Sequence, residues 1–126
     1  MLIYSQTKGT VTGPKGQLGK GWAGNGKGKN NPALQELSCV GPLPQGLYTI
    51  RWLSDEEAAQ HHLGPMIAQL TPDKSNKMFG RDAFYIHGPA VDPMKYGQES
   101  KGCIVLIRPD RLSVKNSGDN RLQVVA

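Results

Sequence analysis

Glycine and proline punctuate this chain too densely for a bundle of long helices: 16 glycines and 9 prolines together make up nearly a fifth of its 126 residues. Glycine loses more backbone freedom than any other residue in a helix interior, and proline lacks the N–H and clashes with the preceding turn. A chain that tolerates both at this density is one of short strands joined by many turns. The expectation is therefore a mainly β protein, compact and built as a single domain over residues 1–126. At this length a core can form without disulfides or metals.

The local pattern fills in the elements. Residues 2–5 and 10–12 read as strands about a Lys8-Gly9 turn. Residues 13–31, rich in glycine, lysine and asparagine, read as turns and short extended pieces anchored by Trp22. Gly41-Pro42-Leu43-Pro44-Gln45-Gly46 is a proline-preset turn that feeds a strand over 47–52, where Leu47, Thr49 and Arg51 alternate with Tyr48, Ile50 and Trp52. Ser54 opens a short helix with Glu57 three residues on, the pattern of a capping box, and Gly64-Pro65 ends it. Further strands are expected at 66–71, at 83–86 running into His87-Gly88, at 103–107 and at 122–125, and residues 72–82 read as a polar loop. A second short helix starts at Pro109 and is closed by Gly118. The total is six or seven strands and two small helices.

Charge and cysteine content narrow the function classes. The formal net charge is +5, and Lys8, Lys15, Lys20, Lys27 and Lys29 meet no acid before Glu36. These lysines suit an anionic polymer or simply solvated loops. They alternate with glycine and not with aromatics or arginine, which argues against a nucleic-acid partner. No apolar run approaches the roughly 18 residues of a membrane span, so no membrane insertion is expected. Met1 leads directly into a strand-like Leu-Ile-Tyr with no signal-peptide pattern, so work outside the cytoplasm would need another export route. The two cysteines, Cys39 and Cys103, form no CxxC pair, which excludes a zinc knuckle or a thioredoxin-type motif. One disulfide remains open on count, but the apolar-proline turn after Cys39 and the glycine-flanked setting of Cys103 are dissimilar.

Two strand ends carry chemistry. Tyr85-Ile86-His87-Gly88 places a histidine where a strand gives way to a loop, and Ser100-Lys101-Gly102-Cys103 places a thiol where a loop gives way to a strand. The connection between them is long enough to bring the second strand beside the first, about 4.8 Å away. A thiol of pKa near 8.5 is mostly protonated at neutral pH, and an adjacent imidazole makes it a nucleophile. Lys101 offers a second cation, Gly102 allows close approach of a substrate carbonyl, and the amides of Gly102 and Cys103 could hold an oxyanion. A buried cysteine alone is commonly a small core residue, and a strand-end histidine a satisfied polar group. The pair with its flanking glycines favours catalysis.

These residues resemble a known signature. His87-Gly88, a spacer, then Ser100-Lys101-Gly102-Cys103 and apolar Ile104 is similar to the active-site motif of L,D-transpeptidases: histidine, spacer, Ser/Thr-His-Gly-Cys and an apolar residue. Lys101 stands where the broader superfamily has a second histidine. The L,D-transpeptidase-related effectors of type VI secretion carry Ser-x-Gly-Cys and accommodate that departure. Asn30-Asn31-Pro32-Ala33-Leu34-Gln35 and the stretch Gly41 to Tyr48 resemble two further elements of that branch, Asn-x-Pro-x-x-Gln and Gly-Pro-x-Pro-x-Gly-x-Tyr. The resemblance covers most of residues 20–125.

It implies a β-sandwich or barrel-like L,D-transpeptidase-type catalytic domain with one or two short helices. Cys103 would be the nucleophile and His87 the base, with Gly88, Ser100, Lys101 and Gly102 shaping the site. The substrate would be a peptidoglycan stem tetrapeptide, cut between its diamino acid and D-alanine through a thioester. Water would resolve the thioester (L,D-carboxypeptidase) or an amine would (L,D-transpeptidase exchange or cross-linking). The implied protein is an antibacterial effector, made in the cytoplasm without a signal peptide and acting in the periplasm of target bacteria. Its partners would be a secretion apparatus and an immunity protein, and it would need no cofactor.

Tyr85, Tyr96 and Arg108 are candidates for substrate contacts, while Trp22 and Tyr48 suit either a groove or the core. His61 and His62 have no cysteine or carboxylate at ligand spacing, so no metal is expected. Asp92 could orient the imidazole or serve the turn at Pro93. Three other functions compete: a cysteine amidase or peptidase of phage lysis type, a non-catalytic wall-binding module, and a nucleic-acid-binding β domain. With both thiols expected free, a reductant should leave the melting temperature unchanged. A bridge from Cys39 to Cys103 would contribute a few kcal/mol, so calorimetry showing a drop of many degrees on reduction would reveal one.

Overall fold

A computed structural model describes the chain except for residues 63, 93, 95, 96, 98 and 99. Nine strands are described: β1 (Leu2–Ser5), β2 (Thr10–Gly13), β3 (Gly16–Lys20), β4 (Trp22–Ala23), β5 (Gly46–Trp52), β6 (Ala68–Pro72), β7 (Phe84–His87), β8 (Ile104–Val105) and β9 (Arg121–Val125). Helix α1 (Asp55–His61) lies between β5 and β6, and α2 (Arg108–Asn116) between β8 and β9. The strands form one sheet in the order β3-β2-β1-β9-β5-β6-β7-β8-β4. β1 pairs in parallel with β9, and β7 with β8; the other neighbours are antiparallel.

The two outermost strands, β3 and β4, are consecutive in the chain with only Gly21 between them. The backbone therefore joins both sheet edges, giving a nearly closed, barrel-like sheet. Gly21 N–H donates to Gly9 O at 2.8 Å. No side chain fits at this crossing: a Cβ on Gly21 would collide with the Val105 carbonyl, and one on Gly9 with the Gly21 carbonyl.

Alternation along the strands sets the core. Leu2 and Tyr4, Tyr48 and Ile50, Phe84 and Ile86, and Leu122 and Val124 all point inward and are buried together with Leu70, Ile104 and Leu106. Val114 of α2 joins this cluster. A smaller cluster of Leu53, Ala58 and Ile67 lies beneath α1, with Tyr85 packed against it. The mainly β expectation holds, and Tyr48 belongs to the core, its hydroxyl donating to Pro44 O at 2.7 Å.

Three details differ from the sequence reading. First, β3 and β4 arise as paired strands inside the stretch read as turns and short extended pieces. The Gly-Gln-Leu-Gly-Lys segment has little strand propensity, but Gly13 pairs with Gly16 across a two-residue Pro14-Lys15 loop, and the ladder to β2 makes it a strand. Second, β8 keeps only two residues of the expected 103–107. Leu106 N–H still donates to His87 O, but Ile107 is already the cap of α2, which Arg108 and Pro109 begin. Third, α1 carries its full capping box between Ser54 and Glu57, yet His62, in a left-handed conformation, ends it before Gly64 is reached. No helix among the described residues is long and apolar enough to cross a membrane.

The resembling elements prove to be architectural. Asn31 accepts from Ala33 N–H and caps the 3-10 turn Pro32–Leu34. Gln35 Oε1 accepts from Gln45 N–H and from the side chain of buried Gln6, tying this turn to the start of β5. The crossing of Gly9 and Gly21 generates a stability prediction: Gly21→Ala should lower stability by about 1–3 kcal/mol through overpacking, read as a fall in the urea midpoint against wild type. An unchanged midpoint would show that the two backbones do not need their close approach.

Candidate functional site

The site forms where β7 meets the turn preceding β8. Ile86 pairs with Ile104 and His87 with Val105, so Cys103 lies across from Tyr85. Tyr85 and His87 share the face of β7 opposite to core residues Phe84 and Ile86. Because the strands run in parallel, the end of β7 does not abut the start of β8. The histidine is instead a diagonal neighbour of the cysteine, at a Cα separation of about 7–8 Å in ordinary sheet geometry. Only the shortness of both strands keeps the offset to two residues.

The thiol of Cys103 is half-buried, and Tyr85 N–H donates to its Sγ at 3.3 Å. Burial pushes its pKa above the ordinary thiol value; the Tyr85 N–H, its own N–H and the Arg81 guanidinium act in the opposite direction. The group is therefore mainly a neutral thiol at pH 7, and a nucleophilic role requires a base to take its proton. His87 is buried, and its Nδ1 lies 2.8 Å from Gly88 O. A carbonyl only accepts, so Nδ1 carries the hydrogen and Nε2 is the basic nitrogen of the neutral ring.

Several expected site residues have structural tasks. Ser100 is fully buried; its Oγ donates to Cys103 O at 2.6 Å and accepts from Gly24 N–H and Gly102 N–H, which ties the turn together. Of the two amides expected to hold an oxyanion, Gly102 is thus already engaged. Gly102 itself has φ +129°, and a Cβ there would lie 2.6 Å from both Arg81 Nη2 and the Phe84 ring, so glycine is required by the turn before any substrate arrives. Gly88 packs against Arg111, which leaves no room for a side chain. Lys101, expected as a cation beside the thiol, has an exposed side chain; its carbonyl is what the site engages.

The substrate candidates separate. Tyr85 packs at a tilt against His61 of α1, with centroids 4.9 Å apart and the hydroxyl 3.4 Å from His61 Nδ1. Arg108 opens α2, is exposed, and lines neither of the clefts described next. Tyr96 lies outside the described residues. Asp92 accepts from Met94 N–H, the turn role, and Trp22 sits in β4 under the ammonium of Lys29. Among the described residues no group of three or more His, Cys, Asp or Glu side chains could hold a metal ion.

Two clefts border the pair. One of about 250 Å³ is lined by Cys39, Arg81, Asp82, Ala83, Lys101 and Cys103, among others. The other, of about 260 Å³, is lined by His62, Gly64, His87, Gly88, Pro89 and Ala90, among others. The thiols that sequence neighbourhood set apart thus share one cleft, both free. Cys39 and Ala83, two non-glycine residues at φ +65° and +63°, sit on its wall. Such left-handed residues are unfavourable by about 1–2 kcal/mol each and cluster at functional sites.

Two residues without a sequence signal, Asn25 and Arg81, also order the thiol cleft. Asn25 Nδ2 donates to Cys39 O and Ser100 O, both at 2.7 Å, and so joins the two walls of the thiol cleft. Arg81, in the segment read as a polar loop, is buried and donates to four carbonyls around the same cleft. Neither residue has a local pattern that marks it.

No curated protein and no solved structure matches this chain. The family model of the Tlde1 domain matches residues 18–126, a stretch that holds both clefts, the Ser100–Cys103 turn and all strands from β4 onward. By that match the chain belongs to the Tlde1 domain family, a family of type VI secretion effector domains.

Proposed function

We propose that this protein is a peptidoglycan-modifying cysteine enzyme, acting on the tetrapeptide stems of the bacterial cell wall with Cys103 as nucleophile and His87 as base. The observation that carries the reading is the half-buried Cys103 thiol held on Tyr85 N–H, one strand from a histidine whose Nδ1 is committed to Gly88 O. Membership of an effector family that works with a secretion apparatus supports a target in another bacterium.

The chemistry follows from the groups present. His87 Nε2 takes the thiol proton, and the thiolate attacks the carbonyl carbon between the diamino acid and D-alanine. Negative charge moves to the carbonyl oxygen, where the Cys103 N–H is the nearby amide not engaged by Ser100. As the tetrahedral intermediate collapses, His87 returns its proton to the leaving amine and D-alanine departs, leaving a thioester on Cys103. Water then attacks the thioester with His87 again as base, releasing the tripeptide stem and regenerating the thiol. A D-amino acid in place of water gives exchange. The raised thiol pKa makes the proton transfer to His87 essential at neutral pH.

Mass spectrometry of isolated wall peptides incubated with the protein should show loss of D-alanine, or its replacement by an added D-amino acid. Cleavage at an amide elsewhere in the stem would instead identify a lysis-type amidase, and no change would leave a binding module. Cys103→Ala should abolish turnover while Cys39→Ala keeps it measurable. His87→Ala should lose about 10²–10⁴-fold, the ordinary contribution of general acid–base catalysis. An essential Cys39 would overturn the site.

Compartment provides an independent check. Expressed in the cytoplasm, the protein should be tolerated, because mature stems lie outside; fused to an export signal, it should deform or lyse the cell. Equal toxicity in both compartments, measured as colony counts, would point to a cytoplasmic target.

A further inference from the structure

Among the described residues, the guanidinium of Arg81 is the one buried charge of the thiol cleft, and the proposed mechanism does not use it. The residue is 6% exposed. Its Nη1 donates to Gln35 O at 2.6 Å and Pro42 O at 2.8 Å, and its Nη2 to Gly41 O and Lys101 O, both at 3.0 Å. Three of these carbonyls belong to the segment that carries Cys39, and the fourth to the turn that carries Cys103. Phe84, the first residue of β7, lies under the guanidinium with its ring centroid 5.3 Å from Cζ. Among the described residues no carboxylate forms an ion pair with Arg81. Carbonyl dipoles orient and solvate the cation but leave its net charge uncancelled.

We propose that Arg81 is the positioning residue of the Cys103 site: it clamps the Ser100–Cys103 turn against the 35–42 segment and holds a fixed positive charge toward the thiolate as it forms. The inference rests on Cys103 being the nucleophile. It explains why the site can place a thiol in a desolvated position, where burial alone would suppress ionisation. It also assigns to Arg81 the task that sequence spacing gave to Lys101. An exposed ammonium is screened by water, whereas a buried guanidinium acts through a medium of low dielectric and stays charged throughout the working pH range. Among the described residues the other titratable groups around the thiol are Cys39, Asp82 and Lys101 along the cleft, Tyr48 acting on Arg81, and His87 and Tyr85 on β7.

The test is the pH profile of Cys103 alkylation by iodoacetamide, followed by mass spectrometry in a Cys39→Ala background so that one thiol reports. Arg81→Gln should raise the midpoint by about one pH unit, at the lower end of what one close opposite charge contributes. Arg81→Lys, which keeps the charge, should return the midpoint close to that of the parent. Turnover of Arg81→Gln should fall through kcat and recover as pH rises, with KM little changed, because both terminal nitrogens of the guanidinium are already bonded to main-chain carbonyls. A parent-like midpoint in folded Arg81→Gln would overturn the proposal and leave Arg81 as packing. Should Arg81→Gln lose its melting transition, Arg81→Lys decides: a parent-like midpoint supports the proposal, and a midpoint raised by the full unit overturns it. Alkylation needs no wall peptide, so an error in the proposed substrate would leave this result standing.

Discussion

The rest of the structure depends on the close crossing of two backbones at Gly9 and Gly21. There the chain leaves β3 on one edge of the sheet and enters β4 on the other, with a single residue between. This closure sets β4 beside β8, and the residues that follow β4 reach the Ser100–Cys103 turn directly. Gly24 N–H and Asn25 Nδ2 both bond to Ser100, whose hydroxyl in turn holds Gly102 and Cys103. The conformation of the thiol-bearing turn is thus inherited from a steric condition that only glycine meets, some eighty residues earlier in the chain.

A second dependency runs through charge. Burying a cation is unfavourable unless its hydrogen-bonding groups are satisfied. Arg81 meets that condition with carbonyls drawn from two separate segments, and it can do so only when both are in place. The same bonds that solvate the cation therefore order the cleft. Arg111 repeats the arrangement on the histidine side, donating to Met66 O and Leu106 O while packing against Gly88. The Cys103 turn and the His87-Gly88 strand end are each backed by a buried arginine bonded to main-chain carbonyls.

The proposed His87–Cys103 pair stands out in the sequence because its signals are local. A histidine closing the apolar Ala-Phe-Tyr-Ile segment and a cysteine opening the apolar Ile-Val-Leu-Ile run can be read within five residues of each position. The Ser54–Glu57 capping box and the alternation in β5 were legible for the same reason. Arg81 was not legible: its partners lie 20 to 46 residues away, so nothing in its own neighbourhood distinguishes it from a solvated side chain of a polar loop. Adjacency in sequence says nothing about where a long side chain points: Lys101 is exposed and borders the thiol cleft, and its carbonyl is what bonds to Arg81.

What the sequence by itself determined was the β character, the short helices and the two residue types that can make a nucleophile. These follow from glycine and proline density, from period-two alternation and from the chemistry of thiol and imidazole, all of which act over a few residues. Tertiary structure alone decided that Gly16–Lys20 and Trp22–Ala23 are strands, since a ladder partner and not propensity makes them so. It decided that β7 and β8 run in parallel, which moves His87 from beside the cysteine to a diagonal position. It also decided that Arg81, twenty residues upstream of Lys101, is buried and bonded to the turn that carries Cys103. Pairing direction and burial are properties of segments brought together from distant parts of the chain, and no local pattern encodes them.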